Sequence, residues 1–150
     1  MSDVSATLEG HSQNTSSPRA TVVVVDDEPA IRAMVAMVLA QAHYQVVPVD
    51  NAMEAAYYIH RAAGQVSAVV TDVVMPVVSG PELAAWIRRV WPHIPVLFMS
   101  GFCEPSSLQL SADDLAYRYL AKPFSLSALT THVGLLIDQR RNDEGHIGHD

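Results

Sequence analysis

The run Thr21-Val22-Val23-Val24-Val25, broken at once by Asp26-Asp27-Glu28, constrains the fold of this chain more than any other stretch. Alternating apolar and polar residues would mark a strand with one wet face, whereas an unbroken β-branched run marks a strand covered on both. Strands of that kind belong to parallel sheets layered between helices. Pro29, directly after the acids, suits the first turn of such a helix, and Ile31, Met34, Val35, Val38 and Ala42 follow at helical spacing.

The same unit recurs along the chain. Tyr44 to Val49 reads as a second strand, Asn51 as an N-cap, and Ala52 to Ala63 as a helix closed by Gly64, with Ala55, Ile59 and Ala62 inward. Ser67 to Thr71 is a third strand, and Pro81 to Val90 a third helix with Leu83, Ile87 and Val90 inward, ended by Trp91-Pro92. Val96 to Met99 forms a fourth strand and Tyr117 to Ala121 a fifth. Ser125 caps a final helix that turns Leu129, Val133, Leu136 and Ile137 inward. Between them, Phe102 to Ala116 is expected to hold a short or mobile fourth helix, which Pro105 could start and Ser106, Ser107 and Ser111 weaken.

Five strands alternating with five helical segments predict an α/β fold, a five-stranded doubly wound parallel sheet with helices on both faces. Residues 1–19 are polar and aperiodic and are expected to form a disordered N-terminal tail; the domain occupies 20–140, and 141–150 form a disordered C-terminal tail. The first helix carries few charges beyond Arg32. Its other side, Ala33, Ala36, Met37 and Ala40, is either covered by the tail or a loop, or docks a partner helix.

Composition narrows the function. Nine Lys+Arg against sixteen Asp+Glu give a formal charge of −7, without the concentrated basic surface that nucleic-acid binding requires. No apolar run reaches membrane-span length and the start lacks the pattern of a secretory signal, so a cytoplasmic protein without membrane insertion is expected. The single cysteine, Cys103, cannot pair within the chain, and the seven histidines lack the spacing of a metal site on one helix face.

What remains is acidic chemistry at strand ends. Asp26 and Asp27 close the first strand, Asp72 the third, Ser100 the fourth and Lys122 the fifth. Each alone is an ordinary turn or surface residue. In a parallel sheet all five meet at one rim, where loops leaving the carboxyl ends of the strands form a crevice. Carboxylates gathered there repel unless a cation sits between them, and an all-oxygen set without histidine or thiolate favours Mg2+, with Mn2+ as a substitute. The chemistry then divides. Asp72 is the nucleophile that takes a phosphoryl group as an acyl phosphate, Asp27 binds the metal directly, and Asp26 acts through metal-bound water. Lys122 neutralises phosphoryl oxygens and Ser100 donates a hydrogen bond to one.

The motifs Val25-Asp26-Asp27-Glu28, Asp72-Val-Val-Met75-Pro76 with Gly80, Met99-Ser100-Gly101 and Leu120-Ala121-Lys122-Pro123-Phe124 are together similar to the receiver domains of two-component response regulators, over about Thr21 to Arg140. The resemblance implies the flavodoxin-like strand order 2-1-3-4-5. It also implies phosphoryl transfer to Asp72 from a histidine kinase or histidine phosphotransfer protein, with magnesium required. Further implications are a metal contact from the Val74 backbone carbonyl, a cis peptide before Pro123, and a switch in which Ser100 and Tyr119 move together. That switch would reshape a face made by the fourth helical segment, fifth strand and last helix, for a downstream protein target or a homodimer. Met75, Pro76, Gly80, Phe102 and Pro123 shape the site. The apolar Val74 and Phe102 at its entrance imply a long-lived aspartyl phosphate, because polar residues there can orient the hydrolytic water. The protein is thus expected to be regulatory rather than an enzyme, assisting only its own phosphorylation and dephosphorylation.

Other readings compete. A haloacid-dehalogenase-type phosphohydrolase needs a second acid two residues beyond its nucleophile, where this chain has Val74; a Gly-x-Ser-x-Gly elbow fails because Phe98 precedes Ser100 by two. A receiver-fold module that signals by binding alone remains the main alternative. With no output domain in the sequence, the chain is expected to be either a stand-alone regulator or a receiver from a larger protein, such as a hybrid kinase.

Overall fold

The computed structural model describes residues 19–101 and 117–148. Strands β1 (Thr21–Val25), β2 (Gln45–Val49), β3 (Ala68–Asp72), β4 (Val96–Ser100) and β5 (Tyr117–Ala121) form one sheet in the order β2-β1-β3-β4-β5. Every neighbouring pair is parallel. Helices α1 (Pro29–Gln41), α2 (Ala52–Arg61), α3 (Gly80–Val90) and α4 (Leu126–Gly148) complete the described elements. The expected fold class and strand order are both present.

Side-chain alternation along each strand divides the core in two. Val23, Val25, Val69 and Phe98 point to the face packed by Ala55 and Ile59 of α2 and Leu83 and Ile87 of α3. Val22, Val24, Val70 and Leu97 point to the opposite face, against Val35, Val38 and Leu39 of α1 and Leu129, Val133 and Leu136 of α4. Covering both faces makes β1 buried at every position from Val22 to Val25, which is why its sequence does not alternate.

The helices start where their chemistry allows. Asn51 caps α2 by accepting from the Glu54 N–H at 2.8 Å. Ser79 and Glu82 form a reciprocal capping box on α3, satisfying two N–H groups that the first turn leaves open. Gly64 ends the α2 turn at φ +75°, tight against the Trp91 ring, so a side chain there would meet both strain and the indole.

Two details of the sequence reading are corrected. Leu39 rather than Ala42 completes the buried stripe of α1, because Ala42 is already the C-cap. Val90 is 44% exposed and Ala84 buried instead, since α3 ends at Val90, with Trp91 as its C-cap. The last helix runs Leu126–Gly148. The expected fourth helix at 102–116 and most of the N-terminal tail lie outside the described residues.

Candidate functional site

Parallel pairing puts the carboxyl ends of β1, β3, β4 and β5 side by side, with Val25 opposite Thr71, Asp72 opposite Met99, and Ser100 opposite Ala121. The residues that end these strands therefore share one rim. Asp26, Asp27 and Asp72 each offer a carboxylate oxygen within 4.8 Å of the others, and they are the one such group of potential metal ligands among the described residues.

Asp26 is fully buried. Its Oδ1 accepts from the Glu28 N–H at 2.9 Å, its N–H donates to Val49 O at 3.3 Å, and its carbonyl accepts from Arg32 Nη1 at 2.8 Å. Its Oδ2 has no hydrogen-bond partner. The Lys122 ammonium stands 3.5 Å from that oxygen and 3.6 Å from Asp72 Oδ1, bridging the two carboxylates. A buried carboxylate oxygen that accepts no hydrogen bond, beside two more carboxylates, is the environment a hard divalent cation completes, so the residues fit magnesium.

Asp72 is held from several directions. Its Oδ1 accepts from the Val73 N–H at 2.9 Å and its carbonyl from Thr71 Oγ1 at 2.9 Å. Gly80 donates its N–H to Val73 O at 2.9 Å and lies too close to the Asp72 carbonyl to carry a side chain. Burial pushes the Asp72 carboxyl above the ordinary carboxylate range; Lys122 opposes this, the Asp26 charge reinforces it, the Val73 N–H opposes it, and Asp27 adds to the rise.

Ser100 is buried on the next strand, and its carbonyl accepts from the Lys122 N–H at 2.8 Å and the Tyr119 hydroxyl at 3.3 Å. The Lys122–Pro123 peptide is cis. A cavity of about 780 Å³ opens onto Asp72, Ser100 and Lys122, rimmed by the apolar Ile31, Met34 and Phe124.

A family model described as the response regulator receiver domain matches residues 22–134. The chain belongs to the receiver-domain family of two-component response regulators. Within that family it is 35% identical over 124 residues to the sensor kinase CckA of Brucella abortus, covering 83% of this chain and 13% of the kinase. It is 38% identical over 115 residues to the DNA-binding transcriptional regulator NtrC of Rhizobium meliloti, covering 77% of this chain and 23% of the regulator. The receiver thus spans only a small part of either relative. Among solved structures, the chemotaxis protein CheY4 of Vibrio cholerae superposes with a TM-score of 0.71 at 28% identity, over 79% of this chain and 99% of that one. The receiver domain of the hybrid histidine kinase CckA gives 0.67 at 27%, over 79% and 99%. Receiver domains bind magnesium at an acidic cluster and interact with histidine kinases and downstream effectors.

Of the residues named from sequence, the receiver brings Asp26, Asp27, Asp72, Ser100 and Lys122 to one rim and puts Val74 on the wall of the cavity with a 66% exposed side chain. Met75 is buried beneath the loop, and Pro76 and Val77 face a shallower groove. Phe102 lies outside the described residues. Sequence reasoning missed the tie from Arg32 to the Asp26 carbonyl, although one arginine in an otherwise uncharged helix was the available signal. Among the described residues no helix is long and apolar enough to cross a membrane.

Proposed function

We propose that this receiver accepts a phosphoryl group on Asp72 from a phosphohistidine of a histidine kinase or histidine phosphotransfer protein. The observation that carries this reading is the Lys122 ammonium placed between Asp26 and Asp72, with the three carboxylates converging beside it. Asp72 Oδ1 is engaged by the Val73 N–H and faces Lys122, which leaves Oδ2 to attack. The Asp72 oxygen forms the new O–P bond as the bond from phosphorus to the donor imidazole breaks, its electron pair leaving on the ring nitrogen. Lys122 balances charge on one phosphoryl oxygen, and the Ser100 hydroxyl donates to another. Magnesium held by Asp26, Asp27, Asp72 and the Val74 carbonyl would neutralise charge on the phosphoryl oxygens and orient them.

Once Asp72 is phosphorylated, Ser100 and Tyr119 reset the face that includes β5 and α4, to which a downstream protein or a second copy binds. The receiver unit occupies 20–140 and works in the cytoplasm as a regulatory phosphoacceptor. Incubation with magnesium and acetyl phosphate, read by intact mass, tests the reading. One added phosphoryl group that disappears in Asp72→Asn supports it. No gain in the parent chain leaves a fold that signals by binding alone.

A further inference from the structure

Arg32 is the only charged residue among the thirteen of α1, and it sits one turn from the helix start. A cation there opposes the positive end of the helix dipole, and the first turn holds no acidic residue to offset it. The residues of the helix itself therefore offer this arginine no ion-pair partner in the first turn. Its guanidinium instead reaches back toward the N-terminal end of the helix, the direction helical side chains take, and donates from Nη1 to the Asp26 backbone carbonyl at 2.8 Å.

The other atoms of Asp26 show what this contact completes. Its N–H is tied to Val49 on the edge strand and its Oδ1 to the Glu28 N–H, so the arginine bond fixes the peptide that joins Asp26 to Asp27. Only Oδ2 is left to face Lys122 and the acidic cluster. The Asp26-Asp27 peptide also sets where the exposed Asp27 carboxylate projects toward the acidic cluster.

We infer that Arg32 is a positioning residue for the magnesium site: its guanidinium clamps the Asp26 carbonyl and so aims both Asp26 and Asp27 at the cation. The inference rests on the phosphoacceptor reading given above. Arg32 touches neither the phosphoryl group nor the cation. Its planar, permanently charged fork makes a directed, charge-assisted bond that a lysine ammonium reproduces only in part.

The test measures magnesium affinity apart from phosphorylation. Thermal unfolding of the parent chain, Arg32→Ala and Arg32→Lys is followed over a magnesium titration, the rise in Tm giving an apparent Kd for each. Removing groups that orient metal ligands typically weakens binding about 10- to 100-fold. Arg32→Ala is expected to bind magnesium at least about tenfold more weakly, with Arg32→Lys between it and the parent. At saturating magnesium, both are expected to take up the phosphoryl group from acetyl phosphate at close to the parental rate. Equal magnesium affinity in the parent and Arg32→Ala overturns the inference alone, as does a phosphorylation defect that excess magnesium leaves uncorrected. Should Arg32→Ala not fold, Arg32→Lys decides by the same comparison, parental affinity counting against the inference. A parent chain that binds no magnesium overturns both the inference and the reading beneath it.

Discussion

The Tyr119 hydroxyl donates to the Ser100 carbonyl at 3.3 Å, linking β5 to β4 at the rim that carries Asp72. The same carbonyl accepts from the Lys122 N–H, so the residue that would respond to phosphorylation is held from both ends of the β5 turn. If Ser100 moves toward a phosphoryl group on Asp72, this hydroxyl bond breaks and the Tyr119 ring turns inward. A crystal structure with beryllofluoride on Asp72 is expected to show a changed Tyr119 rotamer. An unchanged one would sink the switch.

Gly80→Ala should be costly. A Cβ at this position would overlap the Asp72 carbonyl oxygen and stand 3.1 Å from the Asp72 carbonyl carbon and the Val73 Cα. These are backbone atoms of Asp72 and Val73 and cannot swing aside. Overpacking of this kind costs about 1–3 kcal/mol. Denaturant unfolding is expected to show a loss in that range, with slower phosphorylation of Asp72.

Val77 is strained for the opposite reason. It is 94% exposed at φ +68°, a left-handed conformation that a β-branched side chain disfavours by about 1–2 kcal/mol, with no burial to compensate. Val77→Gly removes the clash and gives back part of the gain as unfolded-chain entropy. A net stabilisation of about 0.5–1 kcal/mol in urea unfolding is expected, whereas Val77→Ala should recover little.

The titration of Asp72 makes stability pH-dependent in metal-free buffer. Its carboxyl lies above the ordinary 3.8 in the folded state, burial being the main cause. The folded chain then holds that proton more tightly than the unfolded one, so ionising Asp72 costs stability above its folded pKa. That cost is relieved as pH falls through the folded value toward 3.8. Asp72→Asn should therefore raise Tm at neutral pH without magnesium, and the advantage should shrink in acid. Saturating magnesium should narrow or reverse the difference, because the parent gains a ligand that the variant binds less well.

Val74 is expected to set the lifetime of the aspartyl phosphate proposed for Asp72. It lines the cavity beside Asp72 and offers no group to orient an attacking water. The aspartyl phosphate is expected to persist for minutes or longer, and a half-life of seconds in magnesium buffer would count against this. Val74→Glu, which adds a carboxylate at that wall, should shorten it by about tenfold or more, within the range that a positioned acid–base group contributes.

Much of this architecture is legible in local patterns. The unbroken valines of β1 announce a doubly covered strand, and Asp26, Asp72, Ser100 and Lys122 announce themselves by standing where such strands stop. Helix ends are less legible. Leu39 and Ala84 replace Ala42 and Val90 in the core because burial depends on where each helix leaves the sheet, which spacing alone does not say.

The sequence by itself determined the fold class and the membership of the rim, since hydrophobic periodicity and strand-terminal residues are properties of short windows. Only the tertiary structure decided how those residues engage. It is the packing of β1 between β2 and β3 that buries Asp26 and leaves its Oδ2 open, and the return of β5 beside β4 that carries Lys122 between two acids. The Arg32 side chain reaches the Asp26 carbonyl, and the Gly80 backbone approaches that of Asp72, each across a loop. Their physical cause is three-dimensional: the polar groups left over when the strands end must find partners, and which partners are in reach is fixed by the sheet order.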